Sequence, residues 1–146
     1  MSDFRSLSET MLASPQISQD DIAKAANAGV KLIICNRPDG ESPDEPQSPE
    51  IESLANEHGI AFAMIPVSHA GFSLPQVEAM AAAVEGADGT VLAYCRSGTR
   101  STLLWALARA KMGDSPDALA IAAQKAGYNV GPVRPTMDML AGEASG

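Results

Sequence analysis

Short apolar runs of strand length alternate along the chain with stretches of helical length, and most boundaries carry a serine or proline start and a glycine stop. The runs Val30–Cys35, Ile60–Ile65 and Thr90–Tyr94 lack a clean in–out alternation, which predicts strands buried on both faces. A weaker first strand is predicted near Thr10–Ala13. Ser18 precedes Asp20 and Asp21, and Ile17 and Ile22 stand where a hydrophobic staple would, so a helix opens there and ends at Gly29. Ser48-Pro49, Ser73-Leu74-Pro75 and Ser115-Pro116 open three more, closing at Gly59, Gly86 and Gly127; proline in a first turn forfeits no hydrogen bond. A further helix runs from about Thr99 to Met112. This alternation predicts an α/β fold of three layers, α/β/α, around a mostly parallel sheet of four to five strands. Residues 1–130 read as one domain. Pro132, Pro135 and Gly142 interrupt the rest, so residues 131–146 are expected to form a helix-poor, loosely ordered tail.

Composition narrows the function classes. A chain of 146 residues suits one domain, and 45% hydrophobic against 19% charged residues is a folding composition. The formal charge of −8 leaves no broad basic face, which argues against nucleic acid as a partner. The start has no apolar stretch behind basic residues, and the apolar run Ala79–Val84 is far short of a bilayer span. A soluble cytoplasmic protein is expected. Two cysteines and two histidines at scattered spacing make neither a disulfide framework nor a zinc signature, so no metal or organic cofactor is expected.

The chemistry concentrates in Tyr94-Cys95-Arg96-Ser97-Gly98-Thr99-Arg100-Ser101, between a strand and a helix. A cysteine there faces unpaired backbone N–H groups and the positive end of the helix dipole, both of which favour thiolate over thiol. Gly98 admits a backbone conformation closed to other residues, so the N–H groups of Ser97, Gly98, Thr99 and Arg100 can turn inward as an anion nest. Arg96 and Arg100 add donors and charge, and Ser101 is placed to donate to the sulfur. Cys35 ends an apolar strand and reads as core; should that strand neighbour the one ending at Tyr94, a resolving disulfide with Cys95 comes within reach. A second loop, Arg37–Ser48, leaves a strand's carboxyl end with three prolines and four acidic residues. That is the ligand-binding edge of an open α/β sheet.

From about Ser8 to Val130 the chain resembles the phosphatase-like domain family of beta-lactamase hydrolase-like proteins, a branch of the cysteine-phosphatase fold. The resemblance rests on Ser14-Pro15-Gln16-Ile17, on Asn36-Arg37-Pro38-Asp39-Gly40-Glu41, on Ile65-Pro66-Val67 and on the Cys95 loop. It implies a topology like that of dual-specificity phosphatases, with Cys95 as nucleophile and Arg100 as anion-binding arginine. Two departures stand out. Those phosphatases carry five residues between cysteine and arginine, whereas Arg96 to Thr99 makes four, which resembles the rhodanese loop. The stretch matching their acid aspartate reads Ser68-His69-Ala70-Gly71 and holds no carboxylate. His69 or Asp39 is the candidate acid, and Arg37 a candidate substrate contact. The leading expectation is therefore a sulfurtransferase passing sulfane sulfur through a Cys95 persulfide, from a small-molecule donor to a thiol or cyanide acceptor. The resemblance implies a sulfide- or persulfide-oxidising enzyme as functional partner for it. The alternatives are a phosphate-monoester hydrolase working through a Cys95 phosphocysteine and a non-catalytic anion- or phosphopeptide-binding module.

Overall fold

The structure, a computed structural model, describes residues 3–41, 46–68 and 71–145. Its elements run β1 (Arg5–Ser8), β2 (Met11–Ser14), α1 (Gln19–Asn27), β3 (Val30–Cys35), α2 (Ser48–Glu57), β4 (Ala61–Met64), α3 (Leu74–Gly86), β5 (Thr90–Tyr94), α4 (Thr99–Lys111), α5 (Pro116–Lys125), a 3₁₀ turn (Gly131–Val133) and α6 (Arg134–Ser145). The five strands form one sheet in the order β1-β2-β5-β3-β4, with β1 antiparallel to β2 and every other pair parallel. The three-layer expectation holds.

Side-chain alternation on the central strands sorts the core into two clusters. Ile34, Val91 and Ala93 point to one face, where Leu104, Leu107, Met80 and Met137 cover them. Ile33, Cys35, Leu92 and Tyr94 point to the other, against Ile22 and Ala25 of α1 and Ile51 and Ala55 of α2. Helix α4 buries nine residues from Ser101 to Ala110 and is enclosed nearly all round, which fixes the direction in which the Cys95 loop leaves β5. The Ser18 capping box and the buried pair Ile17 and Ile22 start α1 as the sequence predicts.

Three expectations need correction. Strand β1 was not foreseen, because only Leu7 of its four residues is buried and an edge hairpin needs little apolar signal. Strand β4 is half-exposed and not buried on both faces, since it stands at the edge of the sheet. The segment after Val130 is helical: Pro135 falls in the first turn of α6, where it costs no hydrogen bond, and Met137 and Leu140 are buried among the α4-side core. Arg134 clamps this helix to α5 through Asp117 and braces its own first turn through Asp138. No helix among the described residues is long and apolar enough to cross a membrane.

Candidate active site

Cys95 follows directly on β5, and Gly98 caps α4 with φ +93°, the left-handed conformation its position requires. That turn aims the Gly98 N–H at Cys95 Sγ, 3.1 Å away. The loop is braced by the chain leaving β2: Cys95 N–H donates to the Ser14 carbonyl, and Gln16 N–H to the Arg96 carbonyl, each at 3.3 Å. Ser97 and Thr99 are tied to one another, the Ser97 hydroxyl accepting from Thr99 N–H and donating to the Thr99 hydroxyl. Arg96, Ser97 and Thr99 are exposed at the rim, while Cys95 lies at the floor, fully covered in this conformation.

Arg100 reaches back over this floor. Its Nη1 donates to the Val67 carbonyl at 2.6 Å and to Glu41 Oε2 at 2.8 Å, and its Nη2 to Glu41 Oε1 at 2.8 Å. Three of five guanidinium N–H groups are thereby engaged, which leaves the Nε–Nη2 edge without a protein oxygen among the described residues. The guanidinium also lies close enough to Cys95 for their charges to couple. The bond to Glu41 is the largest influence raising Arg100 above its ordinary range, and the same bond holds Glu41 below the usual carboxylate range. A fixed cation thus stands beside the thiol and bonds it, and an entering oxyanion would take over that bond.

Other predicted residues take different places. Arg37 is buried, and its guanidinium bonds Gln16 Oε1 at 2.7 Å and Glu41 Oε1 at 3.0 Å, so it supports Glu41 and is not placed as a substrate contact. Both Asp39 oxygens are taken by Ser48, one by its N–H at 2.8 Å and one by its hydroxyl at 2.6 Å; Asp39 caps the start of α2 and is not poised as an acid. With Cys35 and Tyr94 it lines a cavity of about 10 Å³ on the α1–α2 side. The Ser101 hydroxyl is buried without a hydrogen-bond partner among the described residues, so the expected bond to the sulfur is absent. His69 lies outside the described residues. Strand β3 does neighbour β5, but the buried Cys35 thiol donates to the Arg37 carbonyl at 3.2 Å and burial pushes it up, keeping it protonated. Two partners escaped the sequence reading. Glu41 stood inside a quoted motif without a role, and Tyr128, whose hydroxyl donates to the Ser97 carbonyl at 3.1 Å, gave no local signal.

Residues 3–112 match the family described as beta-lactamase hydrolase-like protein, phosphatase-like domain. The beta-lactamase hydrolase-like protein of Xylella fastidiosa is 33% identical over 101 residues, and that of Agrobacterium fabrum 34% identical over 104. The matches take in 69% and 71% of this chain but only 23% and 24% of those curated relatives. Among solved structures, a candidate phosphatase from Neisseria meningitidis is 35% identical and superposes with a TM-score of 0.82 over 94% of this chain and 98% of its own. PTPMT1 crystallised with PI(5)P is 12% identical, with a TM-score of 0.76 over 97% and 98% of the two chains; it shares the fold.

Proposed function

The chain belongs to the phosphatase-like domain family of beta-lactamase hydrolase-like proteins, and from that premise we propose that it hydrolyses phosphate monoesters through a phosphocysteine on Cys95. The observation that carries the reading is the Gly98 N–H held 3.1 Å from Cys95 Sγ, with the Arg100 guanidinium fixed by Glu41 and Val67 and bonded to the same cysteine. The likeness to phosphatase folds supports it over sulfur transfer, which reverses the order the sequence suggests.

In this reading the Nε–Nη2 edge of Arg100, the Gly98 N–H and the start of α4 hold the phosphoryl oxygens, where charge accumulates as phosphorus is attacked. The Cys95 thiolate forms the S–P bond, the P–O bond to the leaving group breaks, and His69 donates the proton that the departing oxygen takes up. His69 stands in the stretch after Ile65-Pro66-Val67 where the resemblance puts the acid, which supports that assignment. Water, deprotonated by His69, then attacks phosphorus; the S–P bond breaks, phosphate leaves and the thiolate is restored. Glu41, ionised and spent on Arg100 and Arg37, is unsuited to the acid's task. The charge of −8 disfavours polyanionic substrates and supports a small monoester.

The test is hydrolysis of an aryl phosphate by the whole chain, blocked by orthovanadate and lost in Cys95→Ser. Absence of turnover across a panel of aryl and alkyl monoesters would remove the reading. One observation favours a second: four residues, not five, separate Cys95 from Arg100, and a tighter ring suits a single sulfur atom. Sulfur transfer, with a persulfide-handling enzyme beside it, is identified by a cyanide-labile one-sulfur adduct on Cys95 after treatment with thiosulfate.

A further inference from the structure

The peptide unit joining Ser97 to Gly98 is gripped at both ends. Its N–H donates to Cys95 Sγ at 3.1 Å, and its carbonyl accepts from the Tyr128 hydroxyl at 3.1 Å. N–H and C=O point in opposite directions across a trans peptide, so these two bonds act on one rigid plane. Rotating that plane would break both and turn a carbonyl oxygen toward the sulfur, where its partial negative charge opposes a thiolate.

We propose that Tyr128 is a positioning residue for the nucleophile: its hydroxyl locks the Ser97–Gly98 peptide with the N–H turned toward Cys95, and so keeps the cradle ready for an anion. The inference rests on Cys95 being the nucleophile and holds whether the group transferred is phosphoryl or sulfur.

Independent features support the lock. A Cβ at Gly98 would overlap the Tyr128 hydroxyl, so the tyrosine sits directly on the loop. Tyr128 is itself fixed: its N–H donates to the Ala123 carbonyl at 2.9 Å, and the Arg5 guanidinium lies over its ring at 5.1 Å while bonding the Ala126 carbonyl. Burial raises the phenol above its ordinary value, the nearby Arg5 opposes this and Cys95 adds to it; the group remains an O–H donor through the neutral range. The residue follows α5, beyond the segment 3–112 that matches the family.

Tyr128→Phe keeps the ring under Arg5 and deletes only the donor. Cys95 alkylation by iodoacetamide, mapped by peptide mass across pH, reads the effect directly, beside kcat and KM for an aryl phosphate. The rate at pH 6 is expected to fall about fivefold, the value of roughly one neutral hydrogen bond, with the profile displaced to higher pH and kcat/KM lowered alike. Arg5→Gln loosens the ring but spares the hydroxyl, and is expected to stay within about twofold of wild type. An unchanged Tyr128→Phe profile overturns the proposal, and so does an equal displacement in both variants, which would make the role one of packing. A displaced Tyr128→Phe profile in a protein that turns over no phosphate ester keeps the lock and removes the hydrolase reading.

Discussion

Glu41 and Arg100 form a bidentate pair across 59 positions of sequence, with both oxygen–nitrogen distances 2.8 Å, and Arg37 braces the carboxylate at 3.0 Å. The carboxylate occupies the end-on pair of guanidinium nitrogens, while the same guanidinium also bonds the Cys95 side chain. Glu41→Gln retains the shape but removes the charge. It is expected to lower kcat/KM about tenfold, mainly through KM. The melting temperature should fall as well, because the substitution also takes the charge partner from the buried Arg37. Unchanged kinetics would show that Arg100 needs no such partner.

The same pair sets a pH dependence. Glu41 lies below its ordinary 4.5 in the folded protein, chiefly through Arg100, so its contribution to stability is complete above about pH 4.5 and is lost as pH falls through the lower folded-state value. Wild type should lose stability more steeply than Glu41→Gln across that acidic window, while the two run parallel above it. Urea titrations at a series of pH values check this. Parallel curves throughout would contradict the pairing.

Gly98→Ala meets two obstacles at once, a φ of +93° and the Tyr128 hydroxyl in the path of its Cβ. A cost of about 1–2 kcal/mol follows from the backbone alone, with overpacking adding about as much again. Activity should fall below detection. The double variant Gly98→Ala with Tyr128→Ala should lose less stability than the two single losses added together, and stay inactive, since the two residues touch and their effects couple. Calorimetry and aryl phosphate turnover on the wild type, the two single variants and the double decide it.

Met137 is fully buried against the α4 side of the core, so α6 is part of the folded unit. Met137→Ala should destabilise the protein by about 2–5 kcal/mol in denaturant titration. A change below about 0.5 kcal/mol, the usual range for a surface substitution, would return the segment to a loose tail.

Sequence and structure agree where the signal is local. Val30–Cys35 and Thr90–Tyr94 are apolar runs in central strands, and the observed bounds of β3 and β5 match the reading. The position of Cys95 at a strand-to-helix turn, and the left-handed Gly98, follow from the same local logic. The misses share a cause. Pro132 and Pro135 read as breakers because nothing in the sequence shows that Arg134 finds Asp117 on α5. Asp39 reads as turn or acid until Ser48, nine residues on, takes both its oxygens. Glu41 and Tyr128 act on the loop from 59 and 31 residues away, contacts that only the sheet order and the packing of α5 create.

In the proposed reaction Cys95 takes up a phosphoryl group during turnover. Wild-type protein mixed with an aryl phosphate and quenched in acid within one turnover should carry one phosphoryl group, located by peptide mass on Cys95 and lost in Cys95→Ser. Quenched protein free of that adduct while aryl phosphate is consumed, or a sulfur adduct from thiosulfate as the only modification Cys95 accepts, would contradict it.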